Sequence, residues 1–242
     1  MPLPEAILCA VIGGFLPAII WLHFILKEDR RCPEPRHLIV GTFIVGMLSV
    51  LLVVPLERAA CGAIGACYPH PDFHILTTWA IIEETCKYAL AAAFILWRRS
   101  IDENIDYVVY MVTIALGFAA LENTLFLVGP LQHSSVSEVL LTGNLRFIGA
   151  SLLHVVASAL IGFALAFAFR KSRVVRTLYM AVGVILASAL HTLFNFLIIL
   201  GDDSHTLQAL FTVWSGVVVF FALFEILKYI DYRNLPPNTC NT

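Results

Sequence analysis

Two adjacent glutamates, Glu83 and Glu84, stand near the middle of an apolar run from Phe73 to Trp97 whose only other charge is Lys87. On a helix Lys87 falls one turn beyond the pair and between the two carboxylates in azimuth, so it can anchor one and leave the other free. Neighbouring carboxylates in a low dielectric resist joint ionisation, which suits one of them to carry a proton as general acid or base. The plainer alternative is an ion pair that only stabilises packing. A charge buried in an apolar span costs at least a few kcal/mol, however, and is a functional candidate by default.

Three other apolar runs carry further polar groups. Glu122 follows Phe118 by four residues, on the same face, and is followed by Asn123. His154 shares its face with Ser151, Ser158 and Gly162, small residues that let helices approach closely. His191 and Asn195 are spaced i, i+4 and so share a face. An imidazole can bind a metal or pass a proton, and an amide can donate to an oxyanion. Each also has a structural reading: Glu122 as a helix-end carboxylate reaching the interface, His154 as a hydrogen-bonded core histidine. Arg146 is either a snorkelling anchor or a cation facing substrate. The remaining histidines (His23, His37, His70, His74, His133, His205) fall in loops or near span ends, and Glu225 with Lys228 reads as an interfacial pair.

The elements that must position these groups are membrane helices. Of 242 residues, 60% are hydrophobic and 13% charged, against about 25% charged in soluble domains. The pattern predicts an all-α polytopic transmembrane helix bundle of about seven spans, at 5–26, 37–56, 73–97, 106–128, 144–169, 175–200 and 207–229. Each is long enough for about 30 Å of hydrocarbon. The whole of 1–242 reads as a single integral membrane domain, with 73–200 as a core of four motif-bearing helices. The first span lacks a basic n-region and a small-residue cleavage site and is read as retained. A net charge of −2 suggests no nucleic-acid partner. Cys61 and Cys67 share one loop and could form a disulfide if that loop is extracytoplasmic.

Basic residues set the orientation. Lys27, Arg30, Arg31, Arg36, Arg98, Arg99, Arg170, Lys171, Arg173, Arg176, Lys228 and Arg233 fall on one side, and only Arg58 and Arg146 on the other. This predicts an outside N-terminus and a cytoplasmic C-terminus. The four polar groups then share the outer half of the bilayer.

In order along the chain, Glu83-Glu84-x-x-Lys87, Asp106 leading into Gly117-Phe118-Ala119-Ala120-Leu121-Glu122-Asn123, Arg146 with His154 and Gly162, and His191-x-x-x-Asn195 resemble the PrsW family of intramembrane proteases. That family is similar in turn to the CAAX prenyl endopeptidase and bacteriocin-immunity group. There the second motif ends in histidine where this chain has Glu122, and the first ends in arginine one position beyond Lys87. The resemblance implies an integral protein of a prokaryotic plasma membrane that cleaves a single-pass membrane protein, such as an anti-sigma factor, near the extracytoplasmic side.

Two mechanisms stay open. In one, Glu83 or Glu84 is the base while His154, His191 and Glu122 hold a divalent metal such as zinc. In the other, a glutamate–histidine pair activates water without a metal, and Asn195 helps hold the oxyanion. Lys87, Asn123 and Arg146 support either. A proton-coupled transporter or channel would use the same buried residues, but no internal repeat or pair of broken spans marks one; a catalytically dead scaffold for single-pass helices is the third reading. The segment from Gly129 to Gly143 is a candidate lid.

Overall fold

Helix order follows the apolar runs: α1 (Leu3–Glu28), α2 (Arg36–Ile64), α3 (Phe73–Phe94), α4 (Asp106–His133), a π-helical turn (Arg146–Ala150), α5 (Ser151–Phe167), α6 (Arg173–Leu200) and α7 (Asp203–Asn234). The computed structural model describes residues 1–28, 32–65, 72–98, 100–134, 146–200 and 203–234, among which there is no strand. Six of the seven α-helices among the described residues are long and apolar enough to cross a bilayer, α5 together with the π-helical turn before it. The exception is α3, whose 22 residues reach about 33 Å but carry Glu83, Glu84 and Lys87 in the middle.

The largest departure from the sequence pattern is in α2. The expected span ends at residue 56, just past Pro55, yet the helix runs on to Ile64 and closes at Gly65, whose φ of 75° is left-handed. A proline inside a helix removes one backbone hydrogen bond, whereas stopping there would strand several in an apolar medium. Continuing is cheaper. The two added turns carry Glu57 into the bundle.

Two helices form the centre. α4 is buried along most of its length and packs on α1, α2 and α5, and α5 packs in turn on α6 and α7. The α2–α4 crossing is set by reciprocal glycines: a Cβ on Gly46 would lie 2.1 Å from the Ile114 carbonyl oxygen, and one on Gly117 would lie 2.0 Å from that of Phe43. Any side chain at either position forces the helices apart. The small-residue face of α5 is shared between neighbours. Gly162 abuts Val108 of α4 rather than the glutamate helix, while Ser158 does reach α3. Large apolar residues such as Leu8, Leu51, Phe211 and Val218 point outward, as they must where lipid replaces water as the solvent.

A second polar knot closes the end of the bundle where α4 begins. Asp106 accepts the backbone N–H groups of Asp102 and Glu103, each at 2.8 Å. Asp231 of α7 accepts those of Asn104 at 3.3 Å and Ile105 at 3.1 Å, together with the Asn104 side-chain amide. The Tyr110 hydroxyl donates to Glu34, which precedes α2. Glu225 pairs with Lys228 as expected, and Lys228 also reaches Glu28 of α1 at 3.1 Å. Cys61 is disulfide-bonded; Cys67 lies outside the described residues, as do His70 and most of the lid candidate.

Candidate active site

Asp72 starts α3 by accepting the Ile75 N–H at 2.9 Å. Three turns on, the helix delivers Glu83, Glu84 and Lys87 to a pocket walled by α4, α5 and α6. Lys87 is fully buried, and its ammonium donates to Glu84 Oε1 at 2.7 Å, to His154 Nδ1 at 2.9 Å and to Glu83 Oε2 at 3.4 Å. Beneath it lies the Phe118 ring, whose centroid is 4.1 Å from Nζ. The phenylalanine of the Phe-x-x-x-Glu pattern is thus a cation–π floor for the lysine.

The two glutamates are held very differently. Glu84 has no exposed surface and accepts three donors: Lys87, the His191 Nδ1–H at 3.0 Å, and the Ser158 hydroxyl at 3.1 Å. Glu83 keeps a little exposure and is held more loosely: its Oε2 is 3.4 Å from Lys87 Nζ and 4.0 Å from His154 Nδ1, its Oε1 is 3.8 Å from His191 Nε2, and its carboxyl meets that of Glu57.

These contacts also assign the imidazole tautomers. Since Lys87 donates to His154 Nδ1, the proton of that ring sits on Nε2 and is donated to Glu122 at 2.9 Å. Since His191 donates from Nδ1 to Glu84, its Nε2 presents a lone pair towards Glu83. The two rings meet edge to face with centroids 5.1 Å apart.

Six residues singled out from sequence therefore converge: Glu83, Glu84, Lys87, Glu122, His154 and His191. Asn123 stands behind them, where its amide donates to the Ser151 hydroxyl at 3.0 Å and ties α4 to α5. Asn195 lies one turn past His191, half-buried, and forms no side-chain hydrogen bond to a described residue. Arg146 opens the π-helical turn, and its side chain falls outside what the structure describes. Asp106 sits at the opposite end of α4, in the second knot.

One site residue escaped the sequence reading. Glu57 of α2, half-buried, faces Glu83 and Glu122. The signal was an acidic residue followed by Ala59, Ala60, Ala63 and Ile64, a pattern fit for a helix continuing past Pro55.

The donor set suits a divalent cation. One ligand atom from each of Glu83, Glu84, His154 and His191 lies within 4.8 Å of the others. Counting Glu57 and Glu122, four carboxylates share the pocket with a single ammonium, so a further cation would relieve the excess of negative charge. Mixed imidazole and carboxylate donors are what zinc accepts. Glu122 meets this group at His154 and is not among the four.

Comparisons with known proteins bear on the chain as a whole. Residues 34–225 match the model of the PrsW family of intramembrane metalloproteases. The chain is similar to "Protease PrsW" of Bacillus subtilis (strain 168), 26% identical over 197 residues, covering 78% of this chain and 82% of the relative. The "Protease PrsW" of Geobacillus kaustophilus (strain HTA426) is 26% identical over 194 residues, covering 78% and 79%. That of Oceanobacillus iheyensis is 26% identical over 221 residues, covering 89% and 94%. No solved structure matches.

Proposed function

Because this chain belongs to the PrsW family of intramembrane metalloproteases, and is therefore a membrane protease, we propose that it hydrolyses a peptide bond of a single-pass membrane protein with Glu83 as the general base. The observation that carries this assignment is the contrast between the two glutamates. Glu84 is saturated by three donors, so it orients; Glu83 has only longer contacts to the ammonium and the imidazoles, shares a carboxyl contact with Glu57, and keeps a little exposure, which suits it to receive a proton. An anti-sigma-factor-like substrate agrees with the resemblance.

Glu83 takes a proton from water as its oxygen attacks the scissile carbonyl carbon. The carbonyl oxygen, now an anion, lies within reach of the His154 Nε2–H, with the Asn195 amide one turn from His191 as a second donor. When the C–N bond breaks, the proton held by Glu83 passes to the leaving amine. Lys87 and Glu84 fix the tautomers of His154 and His191, and Glu122 keeps the His154 Nε2–H aligned before substrate arrives. A zinc ion would be held by His191 through Nε2 and by His154 through Nδ1 in place of its contact to Lys87, with Glu84 as the carboxylate ligand and Glu122 at the edge, which leaves Glu83 as the base and the His154 Nε2–H as a donor. A bound zinc would polarise water and the carbonyl.

The basic-residue asymmetry supports seven spans with the N-terminus outside, which puts the pocket in the outer half of the bilayer. A proton path through the molecule has no support along α4. Between the two polar knots it presents Met111, Val112, Ile114, Ala115 and Leu116, all buried and apolar, and the hydroxyl of Thr113 among them is turned back to donate to the Val109 carbonyl at 2.7 Å.

The test is cleavage of a co-expressed single-pass substrate. Glu83→Gln lowers turnover by about 10³-fold, within the range for losing a general base, with an unchanged yield of folded protein. Full activity in that variant would sink the assignment. Chelation followed by zinc add-back decides the metal: turnover that survives chelation removes zinc from the site.

A further inference from the structure

We propose that a cavity away from the glutamates binds the headgroup of an anionic, phosphate-bearing lipid. The cavity has a volume of about 430 Å³ and lies where the C-terminal ends of α3 and α5 meet the first turns of α6. Its walls are Tyr88, Trp97, Leu165 and Met180, and its charges are Arg173 and Arg176.

The arginines point to an anion. Arg176 donates from Nη2 to the Phe169 carbonyl at 2.6 Å and lies over the Trp97 ring at 5.5 Å, yet its Nε is buried with no acceptor. A buried donor left unmade costs about 1–3 kcal/mol, so the protein holds this guanidinium in place without satisfying it. Among the described residues no carboxylate forms an ion pair with Arg173 or Arg176. Two guanidinium groups lining one cavity suit the oxygens of a phosphate.

The remaining walls point to a lipid rather than a free anion. Trp97, past the end of α3, is of a type that settles at the level of headgroups, and Tyr88 lines the deeper wall. Beside the arginines on α6, Val174 is 71% exposed and Leu178 is 61% exposed, an apolar flank along which an acyl chain can lie. Arg170, Lys171, Arg173 and Arg176 form a basic cluster of the kind that gathers anionic lipid in the cytoplasmic leaflet. A small anion would use the arginines and leave the aromatic and aliphatic walls bare.

The experiment is native mass spectrometry of the full chain in mild detergent, after exchange into phosphatidylglycerol or phosphatidylcholine. The wild type retains phosphatidylglycerol at least tenfold over phosphatidylcholine. Arg173→Gln with Arg176→Gln lowers that retention at least tenfold, and so does Met180→Trp, which fills the cavity while keeping both charges. Millimolar inorganic phosphate does not displace the lipid. Equal retention of the two lipids by the wild type, wild-type retention by the Met180→Trp variant, or displacement by phosphate each overturns the proposal. Because Arg176 also holds the Phe169 carbonyl, Met180→Trp decides the matter if the double variant does not fold.

Discussion

At its start, α4 carries Asp106, whose Oδ2 accepts two backbone N–H groups at 2.8 Å; four turns later Glu122 takes its hydrogen bond from the imidazole of His154 at 2.9 Å. Asp231, beside Asp106, is likewise held by backbone and amide groups, while Asp106 also faces the Glu34 carboxyl outside the spans. Glu83 and Glu84, beside Glu122, face an ammonium and two imidazoles. Both regions bury several carboxylates, but their partners differ in kind. Backbone N–H and amide donors keep their protons at any ordinary pH, so they peg helices together. Lysine and histidine hold charge and protons that can be rearranged, and one carboxylate, Glu83, is left loosely held among them. Burial alone does not mark a reactive acid; the nature of its donors does.

The comparison is tested hardest at Lys87. Lys87→Met removes the cation that Glu84 and His154 share and leaves a buried carboxylate without its countercharge. Breaking one side of a buried ion pair costs about 3–5 kcal/mol, so thermal unfolding in detergent should show a larger loss than any other single substitution in either region. Cleavage should vanish as well, since the His154 tautomer is no longer imposed. A variant that keeps wild-type stability would mean that the pocket is not organised around this ammonium.

Asp231→Ala should behave in the opposite way. It strands the Asn104 and Ile105 N–H groups, a cost of about 1–3 kcal/mol in stability. The rate per folded molecule should stay at the wild-type level. If that rate instead falls as it does in Glu83→Gln, the two knots are coupled and the division into pegs and reactive acids fails.

Much of the reactive region was legible in the sequence for an energetic reason. A charge inside an apolar helix must find a partner, so Glu83, Glu84, Lys87, Glu122, His154 and His191 had few places to go except towards one another. What stayed hidden depended on backbone details that side-chain types do not report. The expected second span stops at residue 56, and Glu57 lies in the two turns of α2 beyond it. The choice between Glu83 and Glu84 rests on Ser158 and on which ring nitrogen of His191 turns inward, and both are set by helix rotation. Asp106 lies in a matching motif yet belongs to the other knot, because sixteen residues of helix separate it from Glu122. The crossing through Gly46 and Gly117 was equally silent, since glycines in apolar runs are common.

The smallest expected effect is at Glu34, outside the spans, where burial raises the carboxyl above its usual value of 4.5 despite the hydrogen bonds from Tyr110 and Asp106 that oppose the rise, and the Asp102 charge adds to it. A raised folded-state value means that the protonated form is the one favoured by folding. Its contribution is therefore fully present below pH 4.5 and is lost as pH rises through the raised value. Asp106, Asp102 and Tyr110 are the titratable groups that face it, and none is a cation that would reverse the sign. Glu34→Gln keeps an acceptor for the Tyr110 hydroxyl but cannot ionise. Between pH 5 and 8 the wild type should lose stability relative to this variant, progressively as pH rises through the raised value. Parallel melting curves across that range would show instead that the proton at this knot is as immobile as the backbone donors beside it.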